Sequence, residues 1–515
     1  MTSRRQFLTS LGGMLALAGV SAACRAATPS SAPAASATTP VAPAQVTRGG
    51  TLTVAAARPI ATTLPYPGNQ FFFSWGGPYE PLVSVDANSQ PVARLAESWT
   101  ASDDLRVLRF SLRKGVTFHS GRQLTADDIR WNVEFVKDPK NGAAAGAELK
   151  AVEVGVLDPS TVELRLSDAM PHIFSLLAGV LIFDPESDVA SHGVGTGPFR
   201  VDAFSAGDEL RLVRNEHYWR PDRPLLDGIT FKTLTDPNAT AVALETGAVS
   251  MAPLAIVDAK RLSGNGSVSV VVLPDSGSYD FVLNASEPPL SDKRVRQAID
   301  LALDRKRFAG TVLYGLTEPT HIIWIRLSPA WDATIDVGEF NLDKARQLLV
   351  DAGYPNGFET RILGNSSLPE MLQFDQIVQA DLEKIGVRVT IDQLDVNEAT
   401  SLITQAKFPA IANHSYAYGD QDPAMQFTAF VLRPEGNASR FHSDEYVREV
   451  QAARREPDWD KRMALYRNVA RLVKDEAFLL PVANRVNPWG IHSNVQGVTR
   501  QPLLGAPLLE ELGLG

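Results

Sequence analysis

The sequence predicts an α/β protein of more than one domain, and three observations predict it. The chain has 515 residues, more than one hydrophobic core normally supports. Strand-like alternation and helix-like apolar faces both occur, the first at residues 199–204 and 209–213, the second at 459–473. A helical run over 370–385 ends at Gly386 and feeds directly into a strand at 387–391, the order of a βα-type unit. An apolar share of 44% with 21% charged residues is ordinary for a soluble globular chain. The formal net charge of −10 argues against nucleic acid or an anionic membrane surface as partner.

In chain order, residues 1–23 read as a targeting segment. Arg4 and Arg5 precede an apolar run, 7–20, that is too short and too rich in Gly and Ala to span a bilayer. Ser3-Arg4-Arg5-Gln6-Phe7-Leu8 resembles the twin-arginine export signal, and a general secretory leader with paired arginines is the other reading. Cys24, the one cysteine, follows Ser21-Ala22-Ala23. That junction resembles a bacterial lipoprotein cleavage box, with Ser21 where leucine is usual. Residues 25–44 are mostly Ala, Pro, Ser and Thr, a composition that cannot bury a core and reads as a tether over 24–47. An acylated Cys24 anchoring the folded part to a membrane is expected. Cleavage after Ala23 with a free thiol is the alternative. A single cysteine excludes internal disulfides and a Cys-rich metal site.

From Gly49-Gly50 the folded part begins, with a strand over 51–57. The stretch 60–77 places Tyr66, Phe71, Phe72, Phe73 and Trp75 among Pro and Gly, a wall for either a core or a ligand. Leu108, Phe110 and Leu112 alternate with polar residues on a half-buried strand. Thr125 opens a helix with Asp128 in the capping-box position, and that helix ends before Pro139. Residues 161–166 form another strand. Gly193, Gly195 and Gly197 sit at every second position before Pro198, a pattern expected where two backbones pass too close for side chains. The runs 199–204 and 209–213 then make a hairpin around Ser205-Ala206-Gly207-Asp208, and 229–234 a further strand. Ser291 is read as the cap of a helix with Val295, Ala298, Ile299 and Ala302 inward. Asn341 caps one with Ala345, Leu348 and Leu349 inward, stopped by Gly353 and Pro355. Asp458 caps a last long helix carrying Trp459, Met463, Tyr466, Val469 and Val473 on one face, and 478–482 returns as a strand.

Several of these stretches together resemble one family. Glu80-Pro81-Leu82-Val83, Leu95-Ala96-Glu97-Ser98-Trp99 and the run from Leu112 to Gly121 come first. Gly195-Thr196-Gly197-Pro198-Phe199 and Arg214-Asn215-Glu216-His217-Tyr218-Trp219 follow, then the runs 291–299 and 345–355. In this order they are similar to the extracytoplasmic solute-binding proteins that feed oligopeptide, dipeptide and nickel importers of the ABC type. The resemblance implies a two-lobed periplasmic-binding-protein-like fold (type II, cluster C) with an extra inserted domain and a hinge between the lobes. Lobe I is then expected at 48–84, 193–283 and 484–515, the inserted domain II at 85–192, and lobe II at 284–483. It implies capture by hinge closure and delivery to importer permease subunits, with no cofactor and no bond made or broken; a monomer is expected. The glycine run becomes the return from domain II into lobe I, and His217-Tyr218-Trp219 becomes packing.

The candidate ligand contacts lie elsewhere. Tyr416, Tyr418, Asp420 and Asp422 occupy a Gly- and Pro-punctuated loop over 413–430. In peptide-binding relatives the matching region carries aromatics and an aspartate that pairs with the α-ammonium. Asp422-Pro423 matches the acidic-Pro step there, but the ammonium-binding position falls on Gly419, so Asp420 is displaced by one residue. Capping a turn is the other reading of Asp420. Phe72, Phe73, Trp75 and Trp324 complete the set, as rings able to stack on a ligand. The arginine that some dipeptide-binding relatives use for the peptide carboxylate is replaced by Leu372 or Gln373, with Arg361 or Arg326 as possible substitutes. A longer peptide held by its backbone is therefore expected over a dipeptide, with a non-peptide ligand such as an oligosaccharide as alternative. No pair of the eight histidines has helical metal-site spacing, which argues against nickel. A secreted hydrolase is the competing class, and neither G-x-S-x-G nor H-E-x-x-H occurs.

Overall fold

Residues 48–66, 76–86, 88–143, 145–187, 193–366, 369–417, 422–498 and 507–515 are described by the structure, a computed structural model. The stretch 3–8 that resembles a twin-arginine signal, Cys24, Phe72, Phe73, Trp75, Tyr418 and Asp420 lie outside the described residues.

The chain begins with β1 (Thr51–Ala56), whose Leu52 and Val54 are buried. The next strands, β2 (Ala96–Ala101), β3 (Val107–Leu112), β4 (Val152–Asp158) and β5 (Thr161–Leu166), form an antiparallel sheet of their own in the order β2-β3-β5-β4. Leu108, Phe110 and Leu112 face its core while Arg109 points to solvent, as the alternation requires. Helix α1 (Ala126–Lys137) packs on this sheet. Its start is the expected capping box: the Thr125 N–H donates to Asp128 at 2.8 Å. Helix α2 (Gly146–Leu149) fits against α1 because Gly146 has no side chain; a Cβ there would stand 2.1 Å from the Val136 carbonyl oxygen.

The glycine run then does what its spacing predicts. A Cβ on Gly195 would stand 1.9 Å from the Pro78 carbonyl oxygen, and one on Gly197 2.1 Å from that of Gly77. Two backbones cross here, tied by Gly197 N–H donating to Pro78 at 3.0 Å. The hairpin follows as β6 (Phe199–Ser205) and β7 (Glu209–Arg214), with Gly207 in the left-handed region at φ 77°. Next come β8 (Gly228–Thr233), β9 (Met251–Pro253) and the long β10 (Val268–Leu283).

Further elements include α3 (Lys293–Leu301), α4 (Leu342–Asp351), β11 (Glu359–Asn365), α5 (Pro369–Glu383), β12 (Arg388–Leu394), β13 (Ile411–Ala417), α6 (Pro423–Gln426), α7 (Asp444–Arg455), α8 (Trp459–Glu476) and β14 (Leu479–His492). Two expectations need correction. The cap of α3 is Asp292, whose carboxylate accepts from Arg294 N–H at 2.8 Å; Ser291 lies one residue too early. The strand after α8 is not the short return at 478–482 but fourteen residues long.

That length has a purpose. A ten-stranded sheet runs β6-β7-β8-β1-β9-β14-β10-β13-β11-β12. Strands from the first part of the chain fill one end of it and strands from 359–417 fill the other. The two long antiparallel neighbours, β10 and β14, pass from one end to the other. Their pairing is interrupted between Pro274 and Ser278, midway. Three large hydrophobic clusters surround this frame. One joins β1 and the hairpin to the small sheet, and the other two lie on opposite faces of the sheet beyond the interruption. Phe374 stacks between Phe281 and Phe308 at centroid distances of 4.4 and 4.2 Å. Each such fully buried ring contributes about 1.5–3 kcal/mol. The fold is thus α/β and two-lobed.

Candidate functional site

The site is built from the middle of β10 outward. Side chains alternate along a strand. Tyr279 and Phe281 enter the core against Phe308 and Phe374. Ser278 and Asp280 therefore face the other way, and both are buried. The Ser278 hydroxyl donates to Asp280 Oδ2 at 3.0 Å. Across the ladder, Asp280 is opposite His414 of β13, whose Nδ1 lies 3.7 Å from Asp280 Oδ2. The His414 ring meets Phe430 edge-on at 5.4 Å. Ser278 stands between Tyr416 on one side and Asn484 of β14 on the other. Asn484 Oδ1 accepts from the Arg326 N–H at 3.4 Å. Two atoms of this stripe have no partner among the described residues: Asp280 Oδ1 and Asn484 Nδ2. A buried polar atom left so costs about 1–3 kcal/mol, and in native proteins it usually marks a place for water, an ion or a ligand.

The opposite face of β13 repeats the theme. Asn413 donates through Nδ2 to Asp375 Oδ1 at 2.7 Å and to the Met371 carbonyl at 3.1 Å. Asp375 is completely buried, and that burial pushes its carboxyl up to about 8 although the Asn413 hydrogen bond opposes it. It is held neutral near pH 7, with Oδ2 unpartnered. Gly364 of β11 makes room, since a Cβ there would stand 2.7 Å from that oxygen. Both faces of β13 are thus polar toward its C-terminal end.

The residues named from sequence fall in three groups. Tyr416 lies on β13 opposite Ser278 in the register. Asp422 is buried and caps α6, accepting from Ala424 N–H at 2.9 Å. Trp324 is fully buried: it donates to the Tyr466 carbonyl at 3.1 Å and meets Phe427 and Tyr466 edge-on at 5.8 Å each. The structure puts that ring in the core, apart from the stripe. Phe72, Phe73, Trp75, Tyr418 and Asp420 are outside the described residues. The substitutes for the carboxylate clamp are engaged elsewhere: Arg361 pairs with Asp392 at 2.7 Å, and the Arg326 guanidinium lies 5.3 Å from the centre of the Trp331 ring. Sequence reading missed Asp280, His414, Asn484 and Asp375. A signal was present for two of them, since Asp280 interrupts the apolar run Tyr279-Asp280-Phe281-Val282-Leu283 and His414 follows Ile411-Ala412-Asn413. Among the described residues no cluster of His, Cys, Asp or Glu is arranged to hold a metal ion, and no helix is long and apolar enough to cross a membrane.

Two lobes joined by two long strands, with buried polar atoms at the crossing, define a solute-binding protein. The comparisons agree. Residues 90–437 match the family described as bacterial extracellular solute-binding proteins, family 5, middle region. The glutathione-binding protein GsiB of Salmonella choleraesuis is 25% identical over 423 residues, covering 78% of this chain and 82% of that one. Among solved structures, the oligopeptide-binding protein AppA of Bacillus subtilis, in complex with a nonapeptide, superposes with a TM-score of 0.76 at 21% identity, covering 92% of this chain and all of that one. The ABC transporter substrate-binding protein CtaP of Listeria monocytogenes gives 0.81 at 21% identity, over 91% and 99% of the two chains. The chain belongs to the family 5 extracellular solute-binding proteins, the substrate-binding components of ABC importers. It is a family of transport proteins and not of enzymes.

Proposed function

We propose that this chain captures an oligopeptide between its lobes and delivers it to the permease of an ABC importer. The observation that carries this is the stripe Ser278, Asp280, His414 and Asn484, buried at the β10–β14 crossing with two polar atoms unpartnered. Tyr416, Tyr418, Asp420, Asp422, Phe72, Phe73 and Trp75 are the further ligand contacts in this reading. A peptide backbone offers donors and acceptors for such a stripe, and its α-ammonium pairs with a buried carboxylate. Glutathione in GsiB and a nonapeptide in AppA support a peptide-class cargo. The lobe boundaries are 48–84, 193–283 and 484–515 for lobe I, 85–192 for the inserted domain and 284–483 for lobe II; the separate sheet β2-β3-β5-β4 supports the second of these. Ligand touches both lobes only when they are closed, so binding shifts the population toward that state. Export through the twin-arginine motif and acylation of Cys24 hold a monomer at the outer side of the cytoplasmic membrane.

Native mass spectrometry of protein purified without refolding tests the cargo. A heterogeneous set of co-purifying peptides is expected, and one defined non-peptide mass, such as an oligosaccharide, overturns the peptide reading. Turnover of a labelled peptide would overturn the binding role itself. For the anchor, a fatty-acid label that survives Cys24→Ser rules out acylation at that residue.

A further inference from the structure

Contacts outside the polar stripe join two parts of the chain that no strand connects directly. Residues 85–192 and 284–483 each communicate with the rest through lobe I. Yet Arg454, in the last turn of α7, reaches Glu148 of α2, 306 residues away in sequence. Its Nη2 hydrogen-bonds Glu148 Oε1 and lies 3.3 Å from His172 Nε2. The second oxygen of Glu148 lies 2.8 Å from the same His172 nitrogen. Burial alone would raise the Glu148 carboxyl, but His172 and Arg454 outweigh it and hold the group down to about 2. The next residue, Arg455, pairs with Asp168 at 3.6 Å.

The two pairs differ in their surroundings. His172 is 4% exposed, and the side chains of Glu148 and Arg454 are 17% and 23% exposed. Arg455 and Asp168 are both 59% exposed. The inner group is therefore a desolvated, hydrogen-bonded contact, while the outer pair is screened by water. Neither pair is needed to complete its own element. The core side chains of α7, Tyr446, Val450 and Ala453, point to the cluster around Tyr466 and Phe478.

We infer that Arg454, Glu148 and His172 form a latch that exists only when the lobes are closed, so that these residues set ligand affinity without touching ligand. This rests on the hinge reading above. Rotation of lobe II about the β10–β14 crossing carries Arg454 away from Glu148, because the two sit on different domains of the proposed division. A contact made in one state alone shifts the open–closed equilibrium by its own free energy, and apparent affinity follows the fraction able to close. These are positioning residues for capture.

The test needs no ligand. Spin labels at Leu157→Cys and Val350→Cys, both exposed, report the distance between the inserted domain and lobe II in the Cys24→Ser chain by pulsed electron resonance. Arg454→Ala and Glu148→Ala are each expected to raise the open-to-closed ratio about tenfold, and Arg455→Ala less than about twofold. The exchange Glu148→Arg with Arg454→Glu is expected to recover part of the closed population, which a merely structural role would not do. Two distances whose proportions ignore Arg454→Ala and Glu148→Ala overturn the latch and leave the hinge standing. A single distance in every variant overturns the hinge, and the latch with it.

Discussion

Two buried polar clusters in this molecule look alike in composition and differ in how they are completed. At the glycine crossing, Glu80 is enclosed and receives Thr196 Oγ1 at 3.1 Å, Tyr218 Oη at 2.8 Å and Trp219 Nε1 at 3.1 Å. Glu510 completes the group, 2.9 Å from the same Tyr218 hydroxyl and paired with Arg94 at 2.7 Å. One phenolic proton cannot serve two carboxylates at once. The conflict is eased because burial first, and the charge of Glu510 after it, push Glu80 up to about 7 against the pull of Arg94. At the β10–β14 crossing, by contrast, Asp280 and Asn484 each keep an atom without a partner among the described residues. The first cluster is a scaffold that closes on itself. The second leaves one acceptor and one donor open. Burial of polar residues therefore says little about function until the hydrogen bonds are accounted for.

The comparison breaks most visibly at Glu80. Glu80→Ala leaves the Thr196 hydroxyl and the Trp219 indole N–H without their acceptor in a closed space, and Tyr218 with Glu510 alone. A loss of about 3–5 kcal/mol is expected by chemical denaturation. Glu80→Gln keeps an acceptor and a neutral group, and costs clearly less. A Glu80→Ala protein within about 1 kcal/mol of the parent would mean the cluster is not self-completing.

Asp375 sharpens the contrast through pH. Its folded-state carboxyl sits at about 8 against an ordinary 3.8, so the folded protein holds the proton more tightly than the unfolded chain. The stability this group confers is whole below pH 3.8 and is lost as the pH rises toward about 8. Asp375→Asn removes that slope and keeps the Asn413 hydrogen bond. The variant is expected to match the parent near pH 4 and exceed it by pH 8, the gap widening by at most about 1.4 kcal/mol per pH unit. A gap that does not change with pH would place the ionised carboxylate in a better-solvated site than the structure gives it.

These outcomes also bear on what was legible beforehand. Elements whose signals are local came through: the capping box at Thr125, the Asn341 and Asp458 caps, the hairpin around Gly207 and the glycine crossing. The Asp292 cap was missed by one residue because Ser291 and Asp292 are both good caps, and only the chain's entry angle decides between them. The strands that build the crossing were the least legible. Leu273-Pro274-Asp275-Ser276-Gly277 in β10 has the composition of a turn, and Asn484, Asn487 and Pro488 break the apolar pattern of β14. Those residues are there because each strand passes from one end of the ten-stranded sheet to the other, with its pairing broken midway. A strand that serves two lobes loses the pattern that reveals a strand serving one. The site was hidden for the same reason, since Asp280 and Asn484 belong to those two strands.

Trp324 tests the satisfied side of the comparison inside lobe II. Its indole N–H has a partner and its ring is packed between aromatics. Trp324→Phe is expected to cost about 1–2 kcal/mol, from one lost hydrogen bond and a small void. Affinity for the co-purifying solute should not change. A selective loss of affinity at full stability would return Trp324 to the ligand site.

Asp280 is the reverse case, with the smallest expected effect on stability and a large one on binding. Asp280→Asn removes a charge that folding has desolvated without full pairing, and it keeps an acceptor for the Ser278 hydroxyl. Stability should stay within about 0.5 kcal/mol of the parent or rise, as for other incompletely paired buried charges. If the free oxygen receives a cationic or N–H group of the cargo, calorimetric titration with the co-purifying peptide should show affinity reduced about tenfold or more. Loss of stability with affinity intact would make Asp280 a second scaffold carboxylate like Glu80. The two substitutions together, one costly to folding and neutral to binding, the other the opposite, separate the polar groups that hold the lobes from those that await the solute.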